Sequence, residues 1–483
     1  MNLHDLFAIP LARDPGKVAL RFRSAEGTVQ GFTYAELFAA ARRVAGGFAA
    51  RGLGRGDRIA FFLGNRPEFV IAYLAALELG AVVVPMNLAY RRTELEHLLS
   101  DAQPSGLLSE RELAPVLADV PGLPPIVWAE ELGELAAAPN PLAPLSPPLA
   151  AEESAFLLYT SGTTGKSKGA RMSHGNLVAT VTALLAAWDW SARDVLLLCL
   201  PLFHTHGLVV GLHNALAAGA TVELRRRFQV AEAADDLLAG AATMFFGVPT
   251  MYVRLVEELA GRGDLSALRA MRLFCSGSAP LAPETFEAFE RLTGHSILER
   301  YGMTETGMIL SNPYAGKRRP GSVGTELPGV EVRIVDGELQ VRGANVFDGY
   351  WNTPEKTAES FVDGWFRTGD LARRDPETGA ITLLGRRCEL ILCGGYNVYP
   401  REIEELLLTH PGIREAAVVG RPDPDLGQVP VAFLVSDSEI DPEALRAWCK
   451  ERIAGFKVPR RFVRRETLPR NALGKIQKGL LED

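Results

Sequence analysis

The sequence predicts a large α/β body followed by a β-rich stretch and a compact α+β module. Three observations carry that prediction. Short apolar runs alternate with helix-length segments through the first part of the chain, the texture changes after about residue 320, and from residue 390 helix and strand patterns mix within a short span.

Taken in order, Thr33 followed by Glu36 fits a capping box, so a helix opens there and runs through Leu37, Phe38, Ala41 and Val44 until Gly46 and Gly47. Ile59 to Leu63 reads as a buried strand, Arg66 to Leu79 as a helix and Ala81 to Pro85 as a second strand. Apolar runs at 156–159, 195–200, 243–248 and 271–275 repeat the alternation and imply a mostly parallel sheet with helices on both faces. Residues 137–149, rich in Pro and Ala, read as an exposed connection rather than a domain border. Val330 to Val335 and Glu338 to Val341 flank Asp336-Gly337, a pair that supplies the positive φ of a tight hairpin turn. The last module has a helix at Arg401 to Thr409, strands at Ala416 to Val419 and Val429 to Val435, and a helix at Pro442 to Ile453.

Composition narrows the class. With 483 residues the chain has room for two or three folding units. A net charge of −7 lacks the basic field of a dedicated nucleic-acid binder, so an anionic ligand must be held by local groups. The five cysteines form no C-x-x-C pair and read as reduced thiols of a cytoplasmic protein. The opening segment lacks the basic and apolar blocks of a signal peptide. The best membrane candidate, Phe69 to Met86, is short and interrupted by Glu78 and Gly80.

The chemistry concentrates in Tyr159-Thr-Ser-Gly-Thr-Thr-Gly-Lys-Ser-Lys-Gly169, which follows a predicted strand. Glycines let backbone N–H groups approach closely, hydroxyls donate and lysines offset charge, a combination suited to polyphosphate. Thr160 stands where a P-loop requires its first glycine, so a Walker ATPase is disfavoured. The loop is followed, in order, by Pro201-Leu-Phe-His-Thr-His-Gly207, Ser276-Gly-Ser-Ala-Pro280, Glu299-Arg-Tyr-Gly-Met-Thr-Glu305, Phe366-Arg-Thr-Gly-Asp370, Gly385-Arg386, Gly394-Gly-Tyr-Asn397 and Asn471-Ala-Leu-Gly-Lys475.

This ordered set, from about Thr33 to Lys475, resembles the adenylate-forming superfamily of acyl-CoA synthetases, adenylation domains and luciferase-like enzymes. The resemblance implies an N-terminal region over 1–386 with two α/β subdomains and a small β unit, a hinge at 387–389 and a mobile α+β domain over 390–483. It also implies ATP, Mg²⁺ and coenzyme A as reaction partners, with the acyl group passing through an adenylate. By the same resemblance Thr160, Ser161, Gly162, Thr163, Thr164, Gly165, Lys166 and Lys168 hold the β- and γ-phosphates. Thr304 contacts the α-phosphate and Glu305 binds the magnesium. Ser276, Gly277, Ser278 and Ala279 line the base, Tyr301 stacks on it, and Glu299, Arg300, Gly302 and Met303 complete that wall. Asp370 accepts from the ribose hydroxyls with help from Arg386. Lys475 bridges carboxylate and phosphate during adenylation, and Gly394, Gly395, Tyr396 and Asn397 replace it for the coenzyme A step. The family's hinge residue is commonly Asp or Lys, where this chain has Glu389 after Cys388.

For the acid, the segments around His204, His206, Thr250 and Met308 resemble malonyl-CoA synthetases, which implies a malonate or methylmalonate substrate. Arg227, at the end of Arg225-Arg226-Arg227, offers a bidentate partner for a second carboxylate, though a run of three arginines reads equally as a solvated surface stretch. His206 is divided between pocket wall and core histidine. A medium-chain or aromatic acid is the alternative within the class. Outside it stand a module that loads a carrier protein and a non-catalytic nucleotide-binding regulator. The first is disfavoured because the chain ends shortly after Lys475, the second because Lys475, Glu305 and Asp370 occur together. Monomer and homodimer are both open.

Overall fold

A computed structural model describes residues 1–24, 27–137, 148–160, 167–437, 439–471 and 474–482. The expected connection at 137–149 therefore falls almost wholly outside the described residues, as do Ser161 to Lys166. The chain forms two compact units: Met1–Pro320 with Gly324–Glu331 and Val341–Phe366, and Gly321–Val323 with Val332–Gln340 and Arg367–Asp483.

The first unit contains two sheets. In one, the strands Leu298–Met303, Leu273–Ser276, Met244–Gly247, Val195–Leu198, Thr221–Arg225 and Val18–Arg23 lie side by side and parallel. Gly307–Ser311 adds antiparallel on one side and pairs in turn with Ser322–Glu326, and Val29–Thr33 pairs antiparallel at the other. The second sheet runs Lys168–Ser173, Ser154–Thr160, Val82–Pro85, Arg58–Phe62, Gly106–Ser109 and Ile126–Trp128, parallel except for its first pair. The inner strands are buried along their length because helices cover both faces, which is why they read as continuous apolar runs.

The helix Tyr34–Ala50 starts where Thr33 and Glu36 cap each other reciprocally. It does not stop at Gly46 and Gly47, however. Gly47 lies against Leu135 so closely that a Cβ would collide with it, so this glycine provides a packing contact instead of a terminus. The stretch weighed as a membrane span is a buried helix, Pro67–Leu79, followed by the strand Val82–Pro85. No helix among the described residues is long and apolar enough to cross a membrane.

In the second unit, Asp336 and Gly337 both adopt positive φ, 49° and 77°, giving the tight turn that their sequence predicts. The strands Trp365–Arg374 and Ile381–Arg386 pair antiparallel with Asp370 opposite Arg386. A five-stranded sheet follows, whose longest pair, the edge strand Ile413–Asp423 and its neighbour Gly427–Ser436, is covered by the helices Pro400–Leu408 and Pro442–Lys450. Ile403, Leu407, Leu445 and Val418 form its core.

Candidate active site

The phosphate-loop residues that are described, Thr160 and Lys168, end and begin two paired strands and face each other in register. Around them the structure assembles a small polar group in the first unit. The Thr160 hydroxyl lies 3.5 Å from Glu305 Oε1, and the Tyr350 hydroxyl donates to the same oxygen at 3.0 Å. The Lys168 ammonium sits 5.3 Å from the centre of the Tyr350 ring. Glu305 is itself buried, and its carbonyl accepts from Phe347 N–H at 2.8 Å. Tyr350 carries no motif of its own in the sequence; only the antiparallel pairing of Gly349–Tyr350 with Ala170 and Arg171 brings it here.

Glu305 owes its place to a constrained turn. Gly307 has φ +56°, and a Cβ there would collide with the Thr180 hydroxyl, so the chain can reverse after Thr304 only with glycine. Asn345 fastens the turn by donating to the carbonyls of Thr306 at 2.7 Å and Met308 at 3.2 Å. Tyr301, Gly302 and Met303 stay partly exposed on the strand Leu298–Met303, while Glu299 and Met308 are buried beside it.

A second cluster lies at the ends of the parallel strands, where ligands of open α/β sheets bind. Ser276 closes one strand and Ser278 follows with φ 70°. The Ser278 hydroxyl pairs with His206 Nδ1 at 3.3 Å, and the His206 N–H donates to His204 Nδ1 at 3.2 Å. His206 opens a π-helix, His206–His213, and its ring stacks on Phe246. Burial together with the nearby Arg300 cation holds His206 well below its ordinary pKa, and the same causes bring His204 to about 4. Both imidazoles are neutral near pH 7.

Arg300 is the unusual member. It is buried, and its guanidinium lies so close to Gly277 that a Cβ there would collide with it. Its Nε and Nη2 have no hydrogen-bond partner among the described residues, and neither do His206 Nε2, Thr205 Oγ1 and Ser276 Oγ. Burial lowers the Arg300 pKa; the neighbouring groups that act on it are the Cys275 thiol and the Tyr252 phenol, not a carboxylate. A buried cation with unmet donors is costly unless a ligand completes it.

The arginine run divides differently. Arg225 is buried against Asp236 at 2.6 Å, and Arg226 pairs with the buried Glu110 at 2.7 Å. Arg227 is exposed, with no ion pair among the described residues, and the structure links it to neither His204 nor His206 by a hydrogen bond.

In the second unit Asp370 is buried and accepts from Arg386 Nε at 2.9 Å, while Arg386 Nη1 donates to the Thr368 carbonyl at 3.2 Å. The Lys475 side chain is exposed, yet crowding of its ammonium and the Arg386 charge lower its pKa against the opposing pull of Glu389 and Asp370. Gly394 and Gly395 turn with φ 57° and 82°, leaving Tyr396 and Asn397 exposed at a surface where Tyr396 stacks on Phe456.

The chain matches the AMP-binding enzyme family over residues 7–351 and the AMP-binding enzyme C-terminal domain over 402–475. It belongs to the AMP-binding enzyme family. Among individual relatives, a malonate–CoA ligase from Arabidopsis thaliana is 36% identical, over 88% of this chain and 77% of its own length. The ATP-bound MatB of Rhodopseudomonas palustris superposes with a TM-score of 0.91 at 39% identity, covering 99% of this chain and 98% of that one. O-succinylbenzoate coenzyme A synthetase (MenE) of Bacillus subtilis, in complex with ATP and magnesium ion, reaches 0.89 at 33% identity, covering 99% of each chain.

Proposed function

We propose that this protein is an AMP-forming malonate–CoA ligase, joining malonate and ATP into malonyl-adenylate and diphosphate and then transferring the malonyl group to coenzyme A with release of AMP. The carrying observation is Arg300: a buried guanidinium with two unpartnered nitrogen donors, Nε and Nη2, and no carboxylate partner among the described residues. A monocarboxylic acid offers it nothing, whereas the distal carboxylate of malonate supplies the missing charge and acceptors. This moves the acid-binding role from the exposed Arg227 to Arg300, and from a nucleotide-wall role for Arg300 to an acid-binding one.

In the first half-reaction a malonate oxygen attacks the α-phosphorus and the bond to diphosphate breaks, so negative charge must be stabilised as it moves onto phosphate oxygens. Lys475 supplies an ammonium for that transition state, and Thr304 a hydroxyl. Glu305, one buried carboxylate whose Oε1 meets both the Thr160 and the Tyr350 hydroxyls, would hold Mg²⁺, an ion commonly bound through one or two carboxylates. The ion supplies charge neutralisation at the diphosphate. Asp370, its Oδ1 fixed by Arg386, accepts from the ribose hydroxyls. Neutral His204 and His206 present the acid pocket with donors and acceptors but no second charge.

In the second half-reaction the coenzyme A sulfur attacks the acyl carbon and AMP leaves, and the Gly394 to Asn397 turn, whose Gly394 N–H is donated to the Leu426 carbonyl at 2.9 Å, presents the exposed side chains of Tyr396 and Asn397 to the incoming thiol arm. The five cysteines are free thiols, four of them buried, which fits a reducing compartment such as the cytoplasm.

The test is a panel of acids with ATP, Mg²⁺ and coenzyme A, following AMP and acyl-CoA by mass spectrometry. Malonate should be used far ahead of acetate, octanoate and a cinnamate. Preference for octanoate or cinnamate refutes the dicarboxylate pocket and leaves the adenylate chemistry standing.

A further inference from the structure

Lys478, three residues after Lys475, reaches the Glu389 carboxylate at 2.9 Å, which brings that acid to the segment carrying Lys475; the charges of Glu389 and Asp370 both pull on the Lys475 ammonium. A lysine that must meet substrate carboxylate and phosphate together cannot be spent on a protein acid. Among the described residues Lys475 makes no ion pair, and the reason is visible: both neighbouring acids are held by other cations. Asp370 is paired to Arg386 Nε at 2.9 Å, and Glu389 to Lys478 Nζ at 2.9 Å.

Lys478 stands three residues after Lys475, at the start of the short turn Lys478–Leu480. Its ammonium also meets Glu404 Oε1 at 2.8 Å, and that oxygen accepts the Val418 N–H at 2.7 Å. Lys478 is thereby anchored to the helix Pro400–Leu408 and the strand Ile413–Asp423 while it grips Glu389. The three side chains are 19%, 29% and 17% exposed, so the grouping is better shielded than an ordinary surface ion pair. The turn carrying Lys475 is fixed independently, with Asn471 N–H donating to the Lys475 carbonyl at 2.9 Å and Lys475 N–H to Asn471 Oδ1 at 3.0 Å.

We propose that Lys478 is a positioning residue that holds the Glu389 carboxylate and so keeps the Lys475 ammonium available for adenylation. The inference deepens the role of Lys475 given above and rests on it. Without Lys478, the anion of Glu389 is left with Lys475 as a nearby cation, and the new pair withdraws the lysine from the substrate.

The experiment measures malonate-dependent ATP–diphosphate exchange in the full chain. Lys478→Met should slow exchange several-fold, the cost of diverting Lys475 into a half-exposed ion pair with Glu389. Lys478→Arg should retain it, and adding Glu389→Gln to Lys478→Met should recover most of the loss, because the captor is then neutral. Exchange at the unmodified rate in Lys478→Met overturns the proposal. So does a loss that Glu389→Gln leaves unrelieved, which would mean that Lys478 only secures the local fold. Should Lys478→Met fail to fold, Lys478→Gln carries the same test. Lys475→Ala run alongside separates the two readings: exchange surviving there overturns the role of Lys475 itself and with it this proposal, whereas exchange lost there but intact in Lys478→Met overturns the positioning role alone.

Discussion

Replacing Arg300 with Met keeps an unbranched side chain of similar length and removes the charge and every N–H. Two of its donors, Nε and Nη2, lack protein partners among the described residues, and on the proposed reading the distal carboxylate of malonate takes both. A hydrogen bond to a charged group contributes about 1.5–3 kcal/mol, and two of them place the loss at roughly 3 kcal/mol or more. At about 1.4 kcal/mol per factor of ten, kcat/KM for malonate should fall at least about a hundredfold. Acetate and propionate, which have no second carboxylate, should not fall and can gain from the removal of an unpaired cation. The free enzyme should meanwhile become more stable, since the substitution deletes a buried charge that no acid of the described structure compensates. The assay is diphosphate release with each acid, joined to thermal unfolding without ligands. Unchanged malonate kinetics refute the reasoning. An equal loss for every acid refutes it too, and returns Arg300 to the nucleotide wall.

Three other outcomes follow from the geometry. Because the Lys475 pKa is lowered from the ordinary lysine value and the ammonium is the active form, adenylation should decline as pH rises through a point below that of a free lysine, in diphosphate-exchange profiles; a profile flat through the alkaline range counts against it. The buried His213, between Tyr73 and Phe7, and His174 are held neutral, with pKa values near 3 and 4 against an ordinary 6.5. The unfolded chain takes up their protons first as pH falls, so stability is lost from pH 6.5 downward, by about 2 kcal/mol per group at about pH 5, and levels off below the folded values. Urea melts of His213→Phe should show a shallower acid slope than the parent. Finally, Tyr350→Phe removes the 3.0 Å hydroxyl contact to Glu305 and should raise the Mg²⁺ concentration needed for half-maximal exchange several-fold, with malonate affinity unchanged.

Much of the architecture was legible in local chemistry. The helix start at Thr33, the buried strands, and the Asp336-Gly337 turn follow from caps, apolar runs and positive-φ residues, all of which act within a few residues of chain. The helix runs on past Gly46 and Gly47 to Ala50; a glycine that breaks a helix and a glycine that admits Leu135 look identical in sequence. Whether a glycine is a terminus or a contact depends on what packs against it.

The site divides along the same line. That the loop suits polyphosphate is legible from its glycines, hydroxyls and lysines, and the adenylate chemistry follows from the resemblance carried by the ordered motifs. Which arginine reads the acid is not legible there. Arg225, Arg226 and Arg227 are adjacent and chemically identical, and their fates separate only through Asp236, Glu110 and solvent. Arg300 gained its significance from burial without an acid partner among the described residues, Tyr350 from strand pairing, and Lys478 from lying between Glu389 and Glu404. Charge compensation is a property of neighbours in space, and those neighbours come from distant parts of the chain.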